Sequence, residues 1–323
     1  MRWHIVSLAE LDACPRALDT LESVGEVTHL APTEKNIREM LPQADAYFAT
    51  LKLPVERDLL TRCPRLRLIA TPSTGLDHVD VAAAADLGVE VLSLRGETAF
   101  LDSITATAEL TWALLLAAAR RLPAAVAAAS DGQWARDRFR GHQLSGKTLG
   151  ILGMGRLGRI VANYGLAFRM TVLACDRPGT TMPDGVRAVD FDTLLREADA
   201  LSLHIHLNEE NRNLLDKTAL QKMKKGAILV NTSRGAIIDE AALVAALQSG
   251  HLLAAAVDVI HGEWDANLRR HPLIAHARTH DNLIITPHIG GITHESQRDV
   301  YQFMAKKLLH RIHALDAHAG TVE

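Results

Sequence analysis

Gly153-Met154-Gly155-Arg156-Leu157-Gly158 follows a short apolar run at 148–152 and opens a stretch whose apolar residues Leu157, Ile160, Val161 and Tyr164 keep helical spacing. Glycines in this G-x-G-x-x-G order have separate uses. Gly153 permits a sharp turn, Gly155 lets backbone approach a pyrophosphate, and Gly158 lets helix and strand pack closely. Backbone N–H groups at the start of such a helix have no intrahelical partner and can face an anion. The next apolar run, 170–175, ends at Asp176, near the ~20-residue offset at which an acid meets the adenosine ribose. A carboxylate there accepts hydrogen bonds from ribose hydroxyls and repels a 2′-phosphate. Two like charges ~4 Å apart cost about 4 kcal/mol at an effective dielectric of 20. Half of that still disfavours NADP against NAD by more than roughly tenfold, unless the neighbouring Arg177 softens the repulsion.

Three further segments follow apolar runs at 226–230, 253–257 and 283–286: Val230-Asn231-Thr232-Ser233-Arg234-Gly235, Val257-Asp258-Val259-Ile260-His261-Gly262-Glu263 and Thr286-Pro287-His288-Ile289-Gly290-Gly291. Open α/β sheets bind ligands at the carboxyl ends of their strands, so Arg234, Glu263 and His288 can converge although far apart in sequence. A planar guanidinium holds a carboxylate and a carbonyl in fixed orientation. An imidazole beside a carboxylate has its charged form favoured and can give a proton to an alkoxide. That is a kit for 2-oxo acid chemistry. Taken singly, Arg234 also fits a surface ion pair, Glu263 a solvated loop acid and His288 a capping or packing histidine.

These residues need parallel strands to present them. Short apolar runs at 5–8, 27–30, 46–49, 66–70 and 89–92 alternate with helix-forming sequence, and a second series runs through 148–152, 170–175, 200–204, 226–230, 253–257 and 283–286. This is the pattern of βα units. Six strands in the second series predict a complete dinucleotide fold. The 102–122 stretch predicts one long helix, apolar on most sides and hence buried at a domain or subunit junction. A helix after Arg234 is punctuated by Asp239 as N-cap and Gly250 just past its end, and a last helix is expected over about 294–315. With 323 residues, the chain exceeds the ~250–300 at which single cores stop growing, so two domains are expected.

With these motifs on the page, the chain resembles the D-isomer-specific 2-hydroxyacid dehydrogenase family, whose members include D-3-phosphoglycerate, D-lactate and glyoxylate/hydroxypyruvate enzymes. The matching stretches are Leu144-Ser145-Gly146-Lys147-Thr148-Leu149-Gly150 running into the glycine motif, Lys224-Lys225-Gly226, the Arg234 segment, Asp258-Val259 and Thr286-Pro287-His288. The 144–158 stretch is nearest the D-3-phosphoglycerate dehydrogenase branch, here expected to lack a regulatory domain. The resemblance implies an α/β fold of two Rossmann-like doubly wound domains with parallel sheets separated by a cleft. The substrate domain would comprise 1–100 plus 292–323 and the NAD-binding domain 101–291. It implies hydride transfer between NAD(H) and C2 of a small 2-oxo or 2-hydroxy acid. Arg234 would bind the carboxylate, His288 would act as acid/base and Glu263 would partner it. It implies substrate contacts at Ser73, Thr74 and Gly75. Cofactor contacts are implied at Gly153, Gly155, Arg156, Leu157, Gly158, Asp176, His204, Ile205, Thr232, Ser233, Asp258 and Gly290. It also implies a homodimer. An NAD(H)-binding corepressor branch shares these residues, so an interaction protein without turnover is the alternative.

Three departures stand out. Trp264 replaces the family's usual proline after Glu263, and the run from Glu263 to His288 is long, leaving 264–280 as a lid or an interface element. His206 replaces a frequent proline, in a His-x-His expected to place both rings on one face of a strand. Histidines 204, 206, 261, 271, 276 and 280 have no cysteine or carboxylate at familiar ligand spacing, so no metal is expected. A net charge of −3 gives no basic footprint for nucleic acid. The longest unbroken apolar stretch, 112–119, is far below the ~18 residues of a membrane span. Three cysteines without C-x-x-C spacing give no disulfide framework, and the expected compartment is the reducing cytoplasm.

Overall fold

The computed structural model describes residues 2–265 and 267–319. The chain divides into two compact units, Met1–Ile104 with Ile292–Glu323, and Thr105–Gly291.

The first unit holds five parallel strands, β1 (Trp3–Ser7), β2 (Gly25–His29), β3 (Ala46–Phe48), β4 (Leu68–Ala70) and β5 (Glu90–Leu92), in the order β2-β1-β3-β4-β5. Side chains alternate across a strand, and here both faces are covered. Ile5, Phe48, Leu68 and Ala70 join one apolar cluster, while Val6, Tyr47 and Ile69 join another. The helix His294–Ala319 supplies Val300, Met304, Leu308 and Ile312 to the first cluster. This explains why residues at the two ends of the chain share one core.

The second unit holds seven parallel strands: β6 (Thr148–Leu152), β7 (Thr171–Cys175), β8 (Val186–Ala188), β9 (Ala200–Leu203), β10 (Ile228–Asn231), β11 (Ala254–Val257) and β12 (Leu283–Ile285). Their order, β12-β11-β10-β9-β6-β7-β8, places β6 inside the sheet between β9 and β7, and the winding reverses between β6 and β9. Val172 and Ala174 face one core with Trp112 and Leu115 of the helix Ala106–Ala119, while Leu173 faces the other with Leu201, Leu229 and Val257. Two-sided burial is why these strands read as continuous apolar runs.

The sequence predicts six strands here. The seventh, β8, is a three-residue edge strand paired with β7; Val-Arg-Ala exposes two of its three side chains and leaves no apolar run to detect. The single helix expected over 102–122 is also divided. Ala106–Ala119 ends at Arg120, Arg121 takes a left-handed conformation, and Leu122–Ser130 departs at 67°. Pro123 lies in the first turn of that second helix, where its missing N–H cannot continue the ladder of the first. No single described helix is long and apolar enough to cross a membrane, and the two helices reach such a length together only across this bend. The last helix, His294–Ala319, runs past the expected 315.

Candidate active site

The glycine turn follows β6, at the point where the sheet's winding reverses. Gly153 has φ +94°, and a Cβ there would lie 2.5 Å from the carbonyl oxygen of His204 and 2.7 Å from Cγ2 of Ile205. A Cβ at Gly158 would lie 2.1 Å from Gly153 O. Gly155 instead has open space around it and begins the helix Arg156–Ala167, which no side chain caps. Asp176, just beyond β7, spans this turn: its Oδ2 accepts from Met154 N at 2.5 Å and its Oδ1 from Arg177 N at 2.6 Å. His204 Nε2 pairs with Ser202 Oγ at 2.8 Å, and burial pushes the imidazole down to about 4, so it is neutral at physiological pH. Strand β9 stops at Leu203 and His206 is exposed beyond it. The His-x-His expected on one strand face is therefore absent as such.

The carboxyl ends of β10, β11 and β12 lie side by side. After β10, the buried Asn231 shapes the loop: its Oδ1 accepts from Ser233 N and Oγ, and its Nδ2 donates to Arg234 O at 2.9 Å. Thr232 Oγ1 pairs with Thr111 Oγ1 at 2.7 Å, and Arg234 Nη1 donates to Ser233 O at 2.8 Å. Gly235 brings this loop against the next one, since a Cβ there would lie 2.2 Å from the carbonyl carbon of Ile260.

After β11, Asp258 is fully enclosed. It accepts from Thr286 Oγ1 (2.6 Å), Ile289 N (2.9 Å) and Gly290 N (2.8 Å). Burial raises its carboxyl above the usual range, and these hydrogen bonds oppose the rise. Its backbone oxygen accepts from His288 N at 2.8 Å. Asp258 thus pins both sides of His288, which holds a left-handed φ of +55°, a conformation that surrounding structure must enforce for a residue with a Cβ. His288 Nδ1 lies 2.6 Å from Glu263 Oε1, with the two side chains 20% and 19% exposed. The carboxylate only accepts, so Nδ1 carries the proton and Nε2 is the nitrogen left to exchange one. Trp264 stacks beside this imidazole.

A second histidine–glutamate pair stands under the same loop. Glu240, the first residue of the helix Glu240–Gln248, accepts from His261 N at 2.8 Å and lies 3.0 Å from His271 Nε2, which also donates to His261 O at 3.1 Å. Burial raises the Glu240 carboxyl. Sequence reasoning missed Asn231, Glu240, His271 and Thr286. Asn231 carried a signal, as the polar end of an otherwise apolar strand.

The 264–280 stretch, expected as a lid or interface, includes the helix Pro272–Ala277, whose Leu273 is buried in the core beneath β12. His276 and His280 stack with centroids 4.1 Å apart, and His276 Nε2 meets Asn282 Oδ1 at 2.9 Å. Among the described residues, no three His, Cys, Asp or Glu are grouped to hold a metal. Ser73, Thr74 and Gly75 lie in the other unit, after β4, where Ser73 Oγ donates to Gly75 O at 2.7 Å and pairs with Thr71 Oγ1 at 3.0 Å.

A doubly wound parallel sheet with a glycine turn at its switch point defines a dinucleotide-binding domain. Residues 112–290 match the family model for the NAD binding domain of D-isomer specific 2-hydroxyacid dehydrogenases. The chain is 36% identical over 285 residues to hydroxypyruvate reductase of Thermotoga maritima, covering 88% of this chain and 90% of that one. It is 38% identical over 309 residues to glyoxylate reductase of Aeropyrum pernix, covering 91% and 89%. The crystal structure of D-lactate dehydrogenase from Aquifex aeolicus, complexed with NAD and lactic acid, matches with a TM-score of 0.82 at 27% identity over 96% of each chain. The chain belongs to the D-isomer specific 2-hydroxyacid dehydrogenase family and is an NAD-dependent dehydrogenase.

Proposed function

We propose that the protein interconverts a small 2-oxo acid and its D-2-hydroxy acid, with His288 as acid/base, Glu263 as its partner and Arg234 as the group that binds the carboxylate. The observation that carries this is the 2.6 Å contact between His288 Nδ1 and Glu263 Oε1, on loops that adjoin the Arg234 loop through Gly235. With Nδ1 held by Glu263, Nε2 gives a proton to the substrate oxygen in reduction and accepts one in oxidation. Reduction consumes a proton and oxidation releases one, so the equilibrium shifts toward the hydroxy acid as pH falls. Ser73, Thr74 and Gly75 are assigned to the substrate on family resemblance alone.

The turn fits NAD. Backbone occupies the space that side chains at 153 and 158 would need, the surroundings of Gly155 are open, and the uncapped helix start suits a pyrophosphate. Bound NAD(H) supplies the hydride. Gly153, Gly155, Arg156, Leu157, Gly158, His204, Ile205, Thr232, Ser233 and Gly290 are the proposed contacts, Asp258 acts on them through the 286–290 segment, and Asp176 takes the ribose hydroxyls and disfavours NADP.

The test is NADH and NADPH oxidation with glyoxylate, hydroxypyruvate, pyruvate and longer 2-oxo acids. His288→Ala is expected to lower kcat by about 10²–10⁴ while NADH binding is kept. Wild-type turnover in that variant, or no NADH oxidation with any acid, overturns the reading.

We also propose a homodimer. The apolar helix Leu122–Ser130 buries none of its residues, Leu122 and Val126 are exposed, and nearby Trp134 is 89% exposed. Light scattering is expected to give twice the chain mass at micromolar concentration, and Val126→Glu to shift it toward one chain. A monomeric wild type removes this proposal.

A further inference from the structure

Trp264 directly follows Glu263 and stacks on His288, with ring centroids 6.1 Å apart and planes 23° from parallel. Proton transfer does not use it, yet 47% of this large apolar side chain remains exposed. Ile289, which directly follows His288, is 37% exposed. Each member of the acid/base pair is thus succeeded in the chain by a large apolar side chain facing solvent. Exposed apolar surface beside convergent polar groups is the composition of a ligand site.

A 2-oxo acid brings three substituents to its reacting carbon. The carbonyl oxygen must come within about 3 Å of the proton on His288 Nε2, and the carboxylate suits the guanidinium of Arg234. Only the remaining carbon chain is unassigned, and it begins two bonds from the oxygen that meets the imidazole. The indole lies against that same imidazole. A phosphate or carboxylate carried on that chain would instead approach the carboxylate of Glu263, which is partly exposed, and like charges repel.

We propose that Trp264 is a specificity-determining residue: its exposed indole face, with Ile289, receives an apolar substituent on C2, so the substrate class is 2-oxo acids with branched aliphatic or aromatic side chains. This rests on the catalytic reading given above.

The test is kcat/KM for phenylpyruvate, 4-methyl-2-oxopentanoate and glyoxylate, at saturating NADH, in wild type, Trp264→Ala and Trp264→Phe. Glyoxylate has no carbon substituent, so it reports on the chemistry without the wall. The wild type is expected to prefer both larger acids to glyoxylate by roughly tenfold or more, the scale on which apolar pockets discriminate. In Trp264→Ala that preference falls at least tenfold, mainly through KM, and Trp264→Phe restores most of it. If Trp264→Ala fails to fold, judged by its melting temperature, Trp264→Phe against Trp264→Gln carries the same ratio. A wild type that prefers glyoxylate, or a preference ratio unmoved by the substitutions, overturns the assignment of Trp264. Failure of the wild type to oxidise NADH with any of the three, and with pyruvate and hydroxypyruvate, overturns the catalytic reading instead.

Discussion

Two histidine–glutamate pairs lie within one unit of this protein, and they differ in which ring nitrogen is spent. In His288–Glu263 the carboxylate holds Nδ1, and Nε2 is left for exchange. In His271–Glu240 the carboxylate holds Nε2, which also reaches His261 O, and Nδ1 is buried without a partner among the described residues. Both side chains of the second pair are 12% exposed. A histidine beside an acid is therefore not in itself a proton-transfer device. The nitrogen it presents, and to what, decides. The second pair acts as a strut that fixes the backbone on both sides of His261, two residues before Glu263.

The contrast is sharpest in Glu263→Gln. Gln keeps a hydrogen-bond acceptor for His288 Nδ1 but removes the carboxylate's negative charge from beside the proton-transferring ring, so kcat for reduction is expected to fall about 10–100-fold. A kcat unchanged from wild type would break the assigned role.

Glu240→Ala should act more weakly on rate and more strongly on stability. It leaves the His261 N–H without its acceptor and His271 Nε2 with only the His261 carbonyl, a loss of about 1–3 kcal/mol in urea unfolding. The expected fall in kcat is several-fold, with no change in the shape of the pH profile. The smallest effect concerns pH. Burial raises the Glu240 carboxyl above its unfolded value, so the stability tied to its protonated form is present in acid and lost as pH rises through the folded value. Gln does not titrate, and the stability of Glu240→Gln relative to wild type should therefore rise as pH climbs above the ordinary value of 4.5 and through the raised folded value. A falling difference would show that the strut needs the charge.

The sequence made part of this legible. Arg234, Glu263 and His288 each follow an apolar run long enough to announce a strand, and parallel strands bring their carboxyl ends together. Asp239 and Gly250 bracket the helix they were expected to bracket, with Asp239 accepting from Ala242 N and Gly250 at φ +68°. The Glu240–His271 strut was not legible, because its members sit far apart and Glu240 looks like any acid in a first helical turn. Nor was β8, whose pairing depends on β7 rather than on its own side chains. The break at Arg121 had a local cause in Pro123, outweighed in the reading by an alanine- and leucine-rich pattern that continues through it.

The close approach at Gly235 has one further consequence. A methyl group there would strike the Ile260 backbone, so the ledge bearing Arg234 and the ledge bearing Glu263 share a seam with no room for even the smallest side chain. Neither ledge can be shifted to suit a bulkier molecule without dragging the other. On the proposed placement of substrate beside Arg234 and Glu263, variation in what is accepted is confined to side chains that project from the two ledges, while their spacing stays fixed.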